Sequence, residues 1–416
     1  MQRKVLSEIM LSIITPFFNQ DLTVFKRTWE SVQRAAKGLA YEWVIIMHNT
    51  DNCTPSDIMS LVDNTPEVKI FEKRDEWHSP CSPRNEGIKR SRGKYLYFLD
   101  DDDTCEPDFF EKAIQKMEAE GIDILMGKAG CEGADGKLIV VPTDLLFPET
   151  KDGYIVPDDP DIRGNLLYGA GSLLGTKLIR RKLVADNDIS FDPEIVFTED
   201  ILFLVKCYSH AKKICVMTSL VAYTYIQRND SLLQRVMGED SFDETVYTVP
   251  LKRIVDLATA NNISPGAHVF NMMGMMSVIY ASNSMEEKKK KKIIEDLQQY
   301  ISTINPYFPA QISAKRVRKE YLTDRRAEKQ EVEQSLYELG IQGEDPPLYY
   351  RDISHLDEQK QIAFMKGFWK VLEGDGKDIN AAAFVLGKDK TMIQLSMDRE
   401  LYKKTGPEKI SKIMMR

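Results

Sequence analysis

The chain has 416 residues, 43% of them hydrophobic and 29% charged, with a formal net charge of -8. That content is enough for one large core or two moderate ones. The acidic balance excludes a protein built to neutralise a nucleic-acid backbone, and six cysteines with no CxxC pair and no histidines at zinc spacing describe reduced, buried thiols of a cytoplasmic protein.

Residues Met1 to Glu8 carry charges but no apolar run of the signal-peptide kind. Leu11 to Pro16 predicts a short apolar strand that stops at Pro16. Leu22, Phe25, Trp29 and Val32 follow at helical spacing, with Asp21 placed to cap them. Glu42 to Met47 predicts a second buried strand, Ile58 to Val62 a turn of amphipathic helix, and Val68 to Phe71 a third strand. Arg84-Asn85-Glu86-Gly87-Ile88 opens a short helix before the apolar run Tyr95 to Leu99. Strands nearly continuous in apolar residues, alternating with helices, indicate a parallel doubly wound sheet.

The run Tyr95 to Leu99 ends in four consecutive aspartates, Asp100 to Asp103. Four like charges at the end of a buried strand repel one another and lose solvation, so they call for a cation. Hard oxygen ligands suit Mg2+ or Mn2+, and those ions favour a diphosphate as the remaining ligand. Standing alone, such a run is as readily a solvated turn. A calcium loop of the EF-hand type fails at its sixth position, where Cys105 stands in place of glycine.

Beyond the aspartates the pattern is strand-like from Gly121 to Val141, with turn signals at Gly133 to Gly136, and loop-rich from Pro142 to Asp161. Ile179 to Val184 and Glu199 to Tyr208 read as helices, and Val216 to Tyr225 as a strand. From about Val236 the character changes to long charged helices: Glu244 to Asn261, Val269 to Ser282, Glu286 to Ile304 and Ala314 to Leu339. The apolar stretch Val269 to Ala281 is too short to span a bilayer. Lys288 to Lys292 reads first as a solvated helix face. Its functional reading, attraction to anionic lipid headgroups, gains from the basic and apolar tail around Tyr402 to Lys404 and Ile410 to Arg416.

Taken in order, several segments resemble a family 2 glycosyltransferase of the GT-A fold, over about residues 9 to 235. They are Ser12-Ile13-Ile14-Thr15-Pro16-Phe17-Phe18-Asn19, Arg84-Asn85-x-Gly87, Phe98-Leu99-Asp100-x-Asp102-Asp103, Thr198-Glu199-Asp200, and Tyr223-x-Tyr225 with Arg228 and Ser231 after it. The resemblance implies an α/β fold, a Rossmann-like, doubly wound and mostly parallel sheet in residues 1–235, followed by a mainly helical domain in residues 236–416.

It also implies roles. Asp102 binds the divalent metal, with Asp100 on the ribose or on the metal and its water shell, Asp101 beside the donor, and Asp103 holding the turn. Arg228 meets the diphosphate. Thr15, Pro16, Phe17 and Asn19 form the donor loop, and Arg84 and Asn85 start a helix beside it. Asp200 is the base that deprotonates the acceptor hydroxyl, with Glu199 orienting the acceptor. Each has a plainer reading: a strand exit for Thr15 and Pro16, helix capping for Arg84 and Asn85, a solvated loop cation for Arg228, and a helix N-terminus drawing acids to Glu199 and Asp200.

One departure stands out. Where family members carry acids after the second strand, this chain has Met47-His48-Asn49-Thr50-Asp51-Asn52. His48 takes the base-reading position, Asp51 replaces it only if the loop shifts, and uridine diphosphate is the first choice of nucleotide.

The function expected is metal-dependent, inverting transfer of a sugar from a nucleotide-diphosphate donor to a hydroxyl of a glycan, glycolipid or glycoprotein, in synthesis of bacterial surface polysaccharide or glycoconjugate. The expected setting is cytoplasmic, with peripheral contact at the inner membrane face and assembly through the C-terminal domain both open. Two rivals remain. A sugar-phosphate nucleotidyltransferase needs a glycine-rich loop after the first strand, which Pro16 to Asn19 lacks, and a degenerate binding module is disfavoured by intact Asp100, Asp102 and Asp200.

Overall fold

The computed structural model describes residues 8–133, 136, 138–141, 152–167, 169–228, 243, 245–263, 268, 285–304, 349–352, 383–386 and 392–393. The chain divides into two compact units, Met1–Asp158 with Gly169–Asn229, and Asp159–Tyr168 with Asp230–Arg416. Ser231, the predicted helices at 269–282 and 314–339, and the basic tail lie outside the described residues.

The first unit opens with three strand and helix pairs: β1 (Leu11–Phe17), α1 (Leu22–Ala35), β2 (Tyr41–His48), α2 (Pro55–Leu61), β3 (Val68–Lys73) and α3 (Cys81–Arg90). Next come β4 (Tyr95–Phe98), β5 (Thr104–Cys105), α4 (Phe109–Glu120), β6 (Ile124–Glu132), β7 (Leu138–Val141) and β8 (Tyr154–Val156). After α5 (Pro160–Gly164), which belongs to the second unit, the first unit closes with β9 (Lys177–Arg180), α6 (Arg181–Asp186), α7 (Glu199–His210) and β10 (Ile214–Ile226).

These strands form one sheet in the order β3-β2-β1-β4-β9-β6-β10-β5, with β7 on β6 and β8 on β10. The half from β3 to β4 is parallel. The other half is mixed, because β9 runs antiparallel to both β4 and β6 while β10 runs parallel to β6. The mostly parallel sheet expected is thus parallel throughout its first half and mixed in its second. Residues 177–180 are a strand and the helix begins at Arg181. Ile179, Leu183 and Val184 share helical spacing only across that junction, and Leu178 and Ile179 are sealed between β4 and β6.

Two other boundaries differ from expectation for local reasons. β1 continues through Pro16 to Phe17. Its partner β4 is in register only with Leu11 to Ile14, and the Leu99 N–H already donates to the Ile14 carbonyl, so at Pro16 the ladder on that side has ended and a missing N–H leaves no bond unmade. α3 reaches back to Cys81, because Pro83 sits in its first turn, where no N–H is needed. Arg84 and Asn85 thus lie inside the helix and do not cap it.

The core follows from residue pattern. Asp21 caps α1 by accepting from the Thr23 N–H at 2.7 Å, and the helix buries Phe25, Thr28, Trp29, Val32 and Ala35 on one face. Phe25 and Trp29 stack on Trp43 of β2, whose indole N–H finds Thr15 Oγ1 at 2.8 Å. On the opposite side Phe98 meets Phe191 and Phe203 edge-on, and those two rings stack at 4.0 Å. The helices α1 and α7 are thereby fixed to the sheet that ends at the aspartates.

In the second unit, α8 (Thr245–Ala260) and α9 (Glu287–Ile304) bury Leu251, Ile254, Val255, Ile293 and Leu297. Lys252 pairs with Asp296 at 2.6 Å between these helices, and the Tyr300 hydroxyl reaches Asp256 at 2.6 Å. The lysine run does not form one solvated face, since Lys290 is buried and holds Glu287 at 2.9 Å. A three-stranded sheet of β11 (Tyr349–Asp352), β12 (Ala383–Leu386) and β13 (Met392–Ile393) adds to the helices expected there. Among the described residues no helix is long and apolar enough to cross a membrane.

Gly87 controls how closely α3 lies on the sheet. A Cβ there would stand 2.3 Å from Ile14 Cγ2, so only glycine allows the approach that brings Arg84, one turn earlier, to the sheet's end. Gly87→Ala should destabilise by about 1–3 kcal/mol through overpacking, despite alanine's better helix propensity. Thermal unfolding measures this; a melting temperature equal to or above the parent's would show that α3 has room to move.

Candidate active site

The carboxyl ends of β1, β2, β3 and β4 open on one edge of the sheet, the position where open α/β sheets hold ligands. The four aspartates after β4 each have a separate partner. Asp100 accepts from Arg84 Nη2 at 2.8 Å, and Asp102 pairs with Arg228 Nη2 at 2.8 Å. Asp101 accepts from the Phe18 N–H and from Gln20 Nε2, both at 3.1 Å. Asp103 is buried and accepts from the Tyr223 hydroxyl and from the Ile226 N–H at 2.7 Å.

Burial, followed by the charge of Asp102, pushes the Asp101 carboxyl up to about 7, and Asp103 is pushed well above its usual range by burial and by Asp102 and Asp100. The run is therefore not four equal anions. Asp101 and Asp103 brace the turn while Asp100 and Asp102 face cations. Tyr223 reaches Asp103 because residue 175 is glycine, since a Cβ there would stand 2.4 Å from the Tyr223 ring.

Gln20 joins the donor loop to the far strand: its amide nitrogen serves Asp101 and its oxygen accepts from Arg228 Nη1 at 2.9 Å. The loop before it is set by Asn19, at a left-handed φ of 48°, whose side-chain oxygen accepts from the Asp51 N–H at 2.8 Å. Thr15 and Phe17 turn their side chains inward, Thr15 to Trp43 and Phe17 to Phe25. Thr15 and Phe17 therefore leave only their backbone for a ligand, while Pro16 between them is half-buried. Phe18 is 58% exposed.

Arg84 lies almost fully buried, with Nη1 2.8 Å from Glu199 Oε1 and Nη2 on Asp100, and its guanidinium stands 5.5 Å from the Phe191 ring centre. Asn85, expected beside the donor, instead spends its amide on Phe191, donating to the carbonyl and accepting from the N–H, each at 2.9 Å.

Glu199 and Asp200 open α7. The residue before them, Thr198, holds a left-handed φ of 59°, rare for a β-branched residue, and its sealed hydroxyl has no partner among the described residues. Burial first, and the neighbouring Glu199 charge second, push Asp200 up to about 7. Glu199 is also raised by burial, with Arg84 opposing. Two adjacent acids in unequal surroundings separate naturally into an ion-paired anion and a proton acceptor.

His48 and Asp51 do not stand as equivalents. His48 is buried and its Nε2 lies 2.7 Å from Asp75 Oδ1, whereas Asp51 is exposed and pairs with Arg74 at 2.9 Å. Asp75 was not anticipated from sequence. It also holds Ser82 Oγ at 2.5 Å, the Trp77 N–H at 3.1 Å and Lys73 Nζ at 3.2 Å. The available signal was its place just past the end of β3 among charged neighbours. Gln20 and Lys177 were also missed. Lys177 is fully buried on β9, and its Nζ donates to the Leu173 carbonyl at 2.5 Å and to Thr176 Oγ1 at 2.7 Å.

Among the described residues no three metal-ligating side chains converge. Asp100 and Asp102 supply two carboxylates at the open edge, which is the donor set of a cation completed by substrate phosphates and not of a closed protein cage. The residues fit Mg2+ or Mn2+ in that sense.

Residues 12–161 match the family model described as glycosyl transferase family 2. The chain is similar to the poly(ribitol-phosphate) beta-N-acetylglucosaminyltransferase TarS of Staphylococcus aureus (strain MW2), with 23% identity over 304 residues, 72% of this chain and 49% of that protein. It is also similar to the poly(ribitol-phosphate) beta-glucosyltransferase of Bacillus spizizenii, with 26% identity over 220 residues, 53% of this chain and 32% of that protein. Among solved structures, S. aureus TarS 1-349 in complex with UDP-GlcNAc aligns with a TM-score of 0.46 and 18% identity, over 88% of this chain and 90% of that one. The chain thus spans about half the length of the TarS protein and a third of the glucosyltransferase.

Asp75 carries a measurable signature of its own. Burial alone would raise its carboxyl, but hydrogen bonds from Ser82, His48, Lys73 and the Trp77 N–H outweigh burial and hold it below the model-peptide value of 3.8. Its ionised form therefore stabilises the fold above the unfolded value, and that contribution is lost as pH falls through the lower folded value. Asp75→Asn should flatten the decline of melting temperature between about pH 4 and about pH 2. Parallel declines in parent and variant would show that the Asp75 charge contributes nothing net.

Proposed function

We propose, from the match of residues 12–161 to glycosyl transferase family 2, that the protein is a metal-dependent, inverting transferase that moves a sugar from a nucleotide diphosphate to an acceptor hydroxyl. The observation that carries this reading is the gathering at one sheet edge of two functions the reaction needs. Asp100 and Asp102 offer carboxylates for a cation on a diphosphate, and Asp200, pushed up to about 7, is an acid able to take a proton near neutrality.

Mg2+ or Mn2+ held by Asp102 and Asp100, when bound with the donor, would neutralise charge on the departing diphosphate. Arg228, within 2.8 Å of Asp102, supplies a second cation at the same place. The donor loop contributes backbone groups from Thr15 to Asn19. Asp200 takes the proton from the acceptor oxygen as that oxygen attacks the anomeric carbon, and one base acting in one displacement inverts that carbon. Glu199, anchored by Arg84, orients the acceptor.

Uridine diphosphate remains the first nucleotide to test, with the His48 and Asp75 pair beside the base site. The named activities of the relatives make a polyol-phosphate polymer the first acceptor to try. A glycan, glycolipid or glycoprotein hydroxyl has the same chemistry.

The test is a panel of nucleotide sugars with Mn2+, read by thermal shift and by donor hydrolysis. A nucleotide at about 100 times its dissociation constant should add roughly 2.7 kcal/mol. Asp102→Asn should remove the metal-dependent part of that shift while leaving the unliganded melt in place, and an undiminished shift would remove the metal site. Asp200→Asn keeps the shape but cannot take a proton, so it should bind donor normally while transfer falls by at least about a hundredfold. Transfer at the parent rate would show that the acids merely begin a helix.

A further inference from the structure

Arg84 touches both halves of the site. Its two terminal nitrogens each lie 2.8 Å from a carboxylate of different origin, Asp100 at the end of β4 and Glu199 at the start of α7. A guanidinium is a rigid fork that keeps its charge, so it cannot take up the acceptor's proton. It can decide which acid does.

The groups around the two acids are unequal. Glu199 faces the Arg84 cation directly, with Asp100 beyond it, and with Cys81 of α3 alongside, a thiol kept neutral by burial that pushes it up to about 12. Asp200 faces the Glu199 charge, more distant Arg84, Lys177 of β9 and Tyr208 of its own helix. Burial drives Lys177 well below its usual range and Tyr208 well above, so both favour neutral forms. The strongest fixed charges near the pair are therefore those of Arg84 and Asp100.

We propose that Arg84 is a positioning residue that selects the proton acceptor: it pins Glu199 as a stationary anion, and Asp200 is left to take the acceptor's proton. This rests on the transferase reading above. In the step itself the acceptor oxygen forms its bond to the anomeric carbon, its proton passes to the Asp200 carboxylate, and the bond from that carbon to the diphosphate breaks with its electron pair leaving on the diphosphate. Glu199 gains and loses nothing.

Electrostatics gives each variant a sign. Removing the cation makes both acids harder to ionise, so the pH at which the base becomes active rises. Removing the Glu199 anion lowers it. Removing both returns it toward the parent.

The experiment is the pH profile of kcat for sugar transfer, or for donor hydrolysis, in the full chain. The parent should rise through a midpoint near 7. In Arg84→Gln the midpoint should move up, since the cation that favours the ionised acids is lost. Glu199→Gln should move it down, and the double variant should lie between the two. Arg84→Lys, which keeps the charge without the fork, should recover the midpoint but not the full rate. A loss of rate in Arg84→Gln with an unmoved midpoint would make Arg84 a structural prop and overturn the proposal. Should Arg84→Gln fail to fold, Glu199→Gln decides alone, since an unmoved or raised midpoint there overturns it equally. A parent that neither transfers nor hydrolyses any nucleotide sugar overturns the transferase reading and this inference with it, whereas an active parent with immovable midpoints overturns only the inference.

Discussion

The buried Arg84 guanidinium, shared between Asp100 and Glu199, is the interaction on which the site depends. Arg84 and Glu199 alone in that place would be costly to bury, and removing either leaves the other short of its partner in low dielectric, while Asp100 keeps part of its carboxylate toward solvent. The surrounding architecture supplies what the triad requires. Gly87 lets α3 lie against β1, Phe191 closes over the guanidinium, and Thr198 accepts a strained backbone to start α7 at the required point. Strain at Thr198 is a cost that only a surrounding structure this determined can hold.

A second set of contacts organises the donor side. Gln20 reads Asp101 with one end and Arg228 with the other, while Arg228 also holds Asp102. The loop after β1, the turn after β4 and the end of β10 are thus connected through one amide side chain. Tyr223 and the Ile226 N–H then fix Asp103 from β10. Four consecutive carboxylates become tolerable because they point to four different solutions: an arginine, a backbone amide with a glutamine, a second arginine, and a tyrosine with a backbone amide.

Much of the first unit was legible in the sequence because its signals are local. Alternation of apolar strands with helices, the Asp21 cap and the aspartate run each depend on residues near one another, and Glu199 and Asp200 announce themselves by standing together at a helix start. What escaped depends on pairing across the chain. Ile179 and Arg180 read as the start of a helix until β4 and β6 enclose them. Asn85 was expected beside the donor because nothing in its neighbourhood mentions Phe191, which lies 106 positions away. Asp75 seemed one charge among several until His48 and Ser82 converged on it. In the short sheet of β11 to β13 the pairing of β11 with β12 likewise joins separated segments, Tyr349 standing opposite Ala383.

The link between Asn85 and Phe191 has a consequence for how sequences of this kind can drift. Its two hydrogen bonds run from a side chain to main-chain atoms, so the contact asks of residue 191 only that it not be proline, while it demands a great deal of residue 85. Aspartate there would lack the donor, and leucine would lack both groups. Glutamine would place the amide one carbon too far. Position 85 is therefore narrow in its permitted alphabet and position 191 is limited only by its ring packing, a one-sided tolerance that a survey of variants would display as constancy at one end of the contact and variation at the other.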